Sequence, residues 1–288
     1  MSELSYLLFG SGFVVAALLM LYLAKAAFDF ATPFKLSLQL TEKDNPAMGI
    51  LLAGYLFGVL AVLCGTFIGE GEGSMNLDGF LTDMGPTALY GVIGMGLLLL
   101  AGIINDKFIL REFSNTDEIV KNQNKSVSVV MASGFLGSGL IIAGGLLGSE
   151  DILSMLLAFG LGQLALILFA VIYQKATSYD DLIELGERQN LACGVAFAGS
   201  IIAYSLLLMK ALTMGSDDIQ SLTDRLSYFA YYAISGAVLL PILRFINDIA
   251  FLPNAKLTDE IAKDQNLNAG LLEACLGISM AIVLIITL

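Results

Sequence analysis

The 288-residue chain has no histidine and no tryptophan, only three cysteines and five prolines, and little charge. Without histidine there is no imidazole acid–base chemistry, no serine–histidine triad and no histidine-ligated metal. Cys64, Cys193 and Cys275 stand singly in apolar stretches and form no CxxC pair. They read as small buried hydrophobes, not as redox or metal groups. Charged residues make up 14% of the chain, where a soluble domain carries about 25%, so a soluble enzyme of this length is excluded. Basic residues are scarcer than acidic ones, 14 against 26, for a formal charge of −12, and nucleic-acid binding lacks its basic footprint. No P-loop, GxSxG elbow or HExxH helix is present. The expectation is a chain that is not an enzyme and carries no cofactor or metal.

What is present is apolar: 57% of residues, with a mean hydropathy of +0.82. The apolar residues gather into eight stretches, about 4–27, 46–68, 85–104, 126–148, 152–174, 191–212, 226–247 and 267–288. Each is long enough to cross the roughly 30 Å hydrocarbon layer as a helix. The first is too long, and lacks the basic flank, for a cleavable signal peptide. Loops after odd-numbered stretches hold twelve of the fourteen basic residues, and only Lys210 and Arg225 lie toward the other face. That other face carries Glu70, Glu72, Asp78, Asp83, Glu150, Asp151, Asp217, Asp218 and Asp224. Because lysine and arginine are retained on the cytoplasmic side, the odd-to-even loops are expected there and both termini outside. Tyr228, Tyr231 and Tyr232 fit an interfacial aromatic belt.

The even-numbered stretches are copies of one another. Aligned on Asn45, Asn124, Asn190 and Asn266, they carry Gly49, Ser128, Gly194 or Gly270 four residues on. Alanine follows at the eighth place in all four: Ala53, Ala132, Ala198 and Ala274. The ninth and thirteenth places are small as well (Gly54, Ser133, Gly199, Cys275; Gly58, Gly137, Ala203, Ser279). At 100° per residue, places zero, four and eight share one helix face, and nine and thirteen lie opposite. Small residues on both faces let backbones approach closely in lipid, so each even helix is expected between two neighbours. Gly91, Gly94 and Gly96 suggest close packing in the third stretch too.

Longer repeats confirm the duplication. Ile104-Asn105-Asp106 recurs as Ile246-Asn247-Asp248, Thr116–Ile119 as Thr258–Ile261, and Phe9-Gly10-x-Gly12 as Phe159-Gly160-x-Gly162. The predicted fold is an all-α polytopic membrane protein of eight transmembrane helices. These form four repeated hairpins in two tandem four-helix units, 1–148 and 149–288, related as parallel repeats.

The fourfold Asn-x₃-Gly/Ser-x₃-Ala set and its tandem duplication resemble the bacterial inner-membrane family called domain of unknown function 350, over essentially the whole chain. The resemblance implies an inner-membrane address and a link to envelope or polyamine physiology. Some members are encoded near homologues of a phage-shock membrane-coating protein or near polyamine-synthase-like genes. It carries over no catalytic residue.

Among candidate site residues, Glu273 lies about 10 Å into its span at 1.5 Å per residue, where Leu52, Met131 and Phe197 stand in the other copies. An ionisable group at that depth marks an ion or proton site by default; the alternative is a glutamic acid neutralised by its own proton or by a neighbouring helix. The repeat asparagines either line a polar mouth or cap helices, and Pro46 after Asn45 favours capping. In copies two and four the helix could start earlier, at Thr116 or Thr258, leaving Asn124 and Asn266 mid-helix. Asp106 and Asp248, beside Asn105 and Asn247, form either a cation-attracting ring or helix-end caps. Glu118, Glu184 and Glu260, six residues before the repeat asparagine, read as solvated. Pro241 is expected to kink the seventh span one turn from Arg244. Gly49, Ala53, Ala132, Gly194, Ala198, Gly270 and Ala274 read as packing residues. Two functions follow: a membrane-embedded scaffold recruiting a cytoplasmic coat protein, or a small-cation or polyamine transporter built on Glu273. The other partners expected are the bilayer itself and a second copy of the chain.

Overall fold

The computed structural model describes residues 3–68, 77–149, 151–213, 222–252 and 255–288. Among these, eight helices are long and apolar enough to span a membrane. They are α1 (Glu3–Ala31), α2 (Pro46–Ile68), α3 (Leu77–Ile104), α5 (Lys125–Gly148), α6 (Ile152–Ala176), α8 (Leu191–Thr213), α9 (Leu222–Ala250) and α11 (Leu267–Thr287). Short helices α4 (Asn115–Val120), α7 (Asp181–Gly186) and α10 (Leu257–Ala262) precede α5, α8 and α11, and a π-helical turn, Leu38–Glu42, precedes α2. A second π turn, Asn105–Ile109, extends α3. No strand occurs among the described residues.

All four even spans begin where the repeat asparagine predicts. Asn124 and Asn266 are N-caps, not mid-helix residues as an earlier start would make them, because α4 and α10 end before the spans begin. A left-handed residue separates cap helix from span each time: Asp44, Gln123, Gln189 and Gln265, with φ of 47° to 51°. A side chain with a Cβ resists that conformation by roughly 1–2 kcal/mol, so its fourfold recurrence means that the flanking contacts hold it. The first helices of the hairpins outrun their apolar stretches: α3 starts at Leu77 rather than 85, and α9 spans 222–250 rather than 226–247. Asp78 and Asp224 sit in the first turns of these extensions, where an acid suits the helix dipole. Asp151 caps α6, and hydrogen bonds from Ser149 and Ser154 hold its carboxyl down to about 2. Glu70, Glu72, Glu150, Asp217 and Asp218 lie outside the described residues.

The even helices form a row, α2–α5–α8–α11, each packing most closely on its neighbours in that order. Gly54 has no room for a Cβ beside Ala132, nor Gly199 beside Ala274, Gly194 beside Ser126 or Gly270 beside Ala192. The pattern is constant: place nine of one copy meets place eight of the next, and place two meets place four. Each such contact brings backbone against backbone, and the stabilisation is the sum of many dispersion contacts of about 0.1–0.2 kcal/mol each. Ala198 is likewise buried in α8. Gly49 and Ala53 depart from this expectation: Gly49 has nothing within 4 Å of a built Cβ and Ala53 is exposed, because among the described residues α5 is the even helix that packs on α2, and it lies on the other face. Cys193 is buried as expected, but Cys64 on α2 and Cys275 on α11 are exposed. Tyr232 is fully buried, while Tyr231 is half exposed.

The odd helices α3, α6 and α9 lie against this row, each seated between two even helices. Each touches the even helix of the preceding copy more extensively than its own.

Candidate functional site

The repeat asparagines are structural staples. The Oδ1 of each accepts backbone N–H groups of its own first turn: Met48 for Asn45, Ser126 and Val127 for Asn124, Cys193 for Asn190, Asn268 for Asn266. The Nδ2 donates to the side chain six residues earlier, Gln39, Glu118, Glu184 or Glu260, at 2.8–3.1 Å. The backbone N–H of the asparagine closes the same loop on that residue's carbonyl. These glutamates are therefore clamps, contrary to their reading as solvated groups; Glu184 is buried and also holds Arg188 at 2.7 Å. The remaining Nδ2 hydrogen crosses to the next copy. Asn45 reaches the Ile119 carbonyl, Asn124 that of Leu185 and Asn190 that of Ile261, all at 2.8 Å.

Asp106 and Asp248 do not converge in a ring. Asp106 accepts the Asn115 N–H, and Asp248 accepts the N–H and hydroxyl of Thr258. Each ties the end of a long helix to the cap helix that follows. Asn105 is buried against Gly134 with neither side-chain polar atom partnered, and Asn247 lines a cavity beside Glu273.

Glu273 is the centre of a polar cluster inside the spans of the second unit. Arg244 of α9 bridges to it, Nε donating to Oε1 and Nη2 reaching Oε2 at 3.4 Å. The Tyr173 hydroxyl donates to Oε1 at 3.1 Å from α6, and the Arg244 guanidinium lies over the Tyr173 ring, 4.8 Å from its centroid. Tyr173 in turn stacks on Phe197 of α8 at 4.6 Å. Arg244 Nη2 also donates to the Tyr179 hydroxyl at 3.2 Å, just beyond the span. Four helices thus close around one ion pair whose members expose only 13% and 7% of their side chains. Beside the pair, Pro241, Asn247 and Gly277 border a cavity of about 20 Å³, room for about one water.

Asp181, at the start of α7, faces the same cluster from the cap end. It accepts from the Thr177 hydroxyl at 2.5 Å and from the Cys193 thiol at 3.6 Å. Burial outweighs these bonds and the pull of Arg244, pushing its carboxyl up to about 7. Burial likewise drives the Tyr179 phenol well above its ordinary range. Two surface pockets of about 370 and 320 Å³ flank Tyr179 and share Ser178 and Asp180. Among the described residues no cluster of three or more His, Cys, Asp or Glu side chains could hold a metal.

The sequence alone points to Glu273 but not to its partners. Arg244 stands out there only as a neighbour of Pro241, and Tyr173, Tyr179 and Asp181 do not stand out at all. The usable signal is that Glu273 and Arg244 are each unmatched in the other unit, where Met131 and Gly102 hold their places. No match is found among curated proteins or among solved structures. The Domain of Unknown Function (DUF350) matches residues 4–146 and again residues 147–288. The fourfold staple and the doubled four-helix unit are accordingly the architecture of two tandem copies of that domain, and the chain belongs to the DUF350 family.

Proposed function

We propose that this protein is a membrane-embedded scaffold, neither an enzyme nor a conduit for ions. The cap end faces the cytoplasm of a bacterial inner membrane, the termini lie on the periplasmic side, and the cap loops recruit a peripheral protein. The basic residues of the odd-to-even loops support the orientation. The observation that carries the scaffold reading is the neutralisation of Glu273. A carboxylate that binds a passing cation must be free to exchange partners, whereas Glu273 is held by Arg244 and Tyr173 with space for about one water. The backbone-tight row of even helices leaves the same impression of a closed body.

The test is flux in proteoliposomes. The wild-type protein is expected to pass protons, potassium and polyamines no faster than empty vesicles. Cation uptake that rises in acid and is abolished by Glu273→Gln would overturn the scaffold in favour of transport. A photo-crosslinker in the 111–122 or 255–265 loops is expected to capture a membrane-coating protein in cells.

A further inference from the structure

We infer that the row of even helices continues from one molecule into the next, with α11 of one copy docking head to tail on α2 of a second. Three independent features of the two ends point to this occupant. First, the contact made three times inside the chain has both its halves left open. Places four and eight of the first copy, Gly49 and Ala53, face nothing, and place nine of the last, Cys275, is exposed. These are the places that meet at Gly199–Ala274 and Gly270–Ala192.

Second, the staple is unfinished. Asn45, Asn124 and Asn190 each give an Nδ2 hydrogen to the carbonyl five residues before the next asparagine. Asn266 donates only to Glu260 among the described residues, and the carbonyl that would match, that of Leu40, receives no asparagine. Third, the outer row is unfinished in the same sense. The helices α3, α6 and α9 each lie mainly on the even helix of the preceding copy, whereas α1 lies against α2 of its own copy and α3. Tyr22, Leu18 and Leu19 of α1 are at least 60% exposed. Of their most apolar stretches, α5 is 83% and α8 72% buried, but α11 only 22%.

Docking a second copy by the internal operation would supply α2 and α1 to α11 at one stroke. Because α2 and α11 cross in the same sense, both molecules keep one orientation in the bilayer. The contact is heterologous, so it builds a ring or a filament, not a two-fold dimer. Asn268, where the other copies have Ala47, Ser126 and Ala192, adds a polar side chain at the rim of this contact. The inference does not depend on the scaffold reading, since a transporter could assemble in the same way.

The experiment uses the full chain in membranes, with Cys64 and Cys193 replaced by Ala so that Cys275 is the sole thiol. Adding Ala53→Cys and oxidising, or applying a short bis-maleimide, is expected to give a ladder of dimers, trimers and larger species. Neither the Cys275-only chain nor a chain with Ala53→Cys and Cys275→Ala should give one. Gly49→Phe combined with Ala53→Phe in an otherwise wild-type chain is expected to shift single-molecule photobleaching to one step. Circular dichroism, and the thermal midpoint of the monomeric chain in detergent, should stay unchanged, because neither position is packed within the chain. Dimers through Cys275 alone, no ladder from the paired cysteines, or undiminished oligomers in the doubly substituted chain would each overturn the inference.

Discussion

The two four-helix units solve one packing problem in two ways. In the first, Met131 occupies the place of Glu273, Gly102 that of Arg244 and Phe135 that of Gly277. The Phe135 ring fills the space over Gly102 and joins Phe28 and Tyr55 in an aromatic cluster with centroids 4.9–6.2 Å apart. In the second unit the large and small partners are exchanged: the long Arg244 side chain and the bare Gly277 border the same cavity, and Arg244 meets Glu273. One unit is plugged with hydrocarbon and the other with an ion pair. The fold therefore does not need the ion pair in every unit.

The largest effect is expected from breaking the pair. Glu273→Gln leaves Arg244 buried without a counter-charge and should lower stability by ~3–5 kcal/mol, read as unfolding in mild detergent. Transplanting the apolar plug, with Glu273→Met, Arg244→Gly and Gly277→Phe together, should recover most of that loss, because the first unit packs in this way. A triple variant as unstable as Glu273→Gln would mean that the two units are not equivalent in packing.

The next effect sharpens a second contrast, between the middle of the row and its end. Gly199→Leu places a side chain into the Ala274 backbone, and overpacking of this kind costs about 1–3 kcal/mol or more. Gly49→Leu, at an equally small place in the repeat, meets no neighbour within the chain and should leave the thermal midpoint of the monomeric, detergent-solubilised chain within experimental error.

Much of this architecture is legible in the order of the residues. The four asparagines, the small faces on both sides of the even spans and the duplication itself are periodic, and a helix converts that periodicity directly into neighbours. The glutamate clamps read wrongly as solvated because their six-residue spacing runs through a left-handed residue, where helical periodicity no longer says which side chains meet. The Arg244–Glu273 pair is invisible in the sequence for a related reason: it joins α9 to α11 across 29 residues, and nothing local fixes which faces of those helices meet. The open faces at Gly49 and Cys275 lie on α2 and α11, the outer members of the row of even helices.

A pH profile separates the units further. Place −9 from the repeat asparagine holds Leu36, Asn115, Asp181 and Leu257, all buried, so only one copy buries an acid there. The Asp181 carboxyl has its ordinary value of 3.8 when unfolded and about 7 when folded. Between these values the folded chain binds the extra proton, so the contribution of Asp181 to stability is greatest below about pH 4, falls as pH rises toward 7 and is level above that. Asp181→Leu, which installs the residue of copies one and four, should flatten this slope in thermal unfolding followed from pH 4 to pH 8. A slope that survives the substitution would place the titrating group elsewhere.

The smallest effect compares two staples. Asn190→Ala removes a cap, a bond to Glu184 and the bond to the Ile261 carbonyl of the next copy, and it leaves one carboxylate oxygen of the buried Glu184 without its partner, the other still held by Arg188. Asn266→Ala removes a cap and the bond to Glu260 only, at a half-buried position. A lost cap costs about 1 kcal/mol, and an unsatisfied buried acceptor adds roughly 1–3 kcal/mol. Asn190→Ala should thus be the more destabilising by about that second amount in a monomeric, detergent-solubilised chain. If α11 docks on a second copy in the membrane, the gap narrows there, because Asn266 then gains the crossing bond that Asn190 has. The difference between the two measurements, in detergent and in bilayer, reports the crossing bond itself.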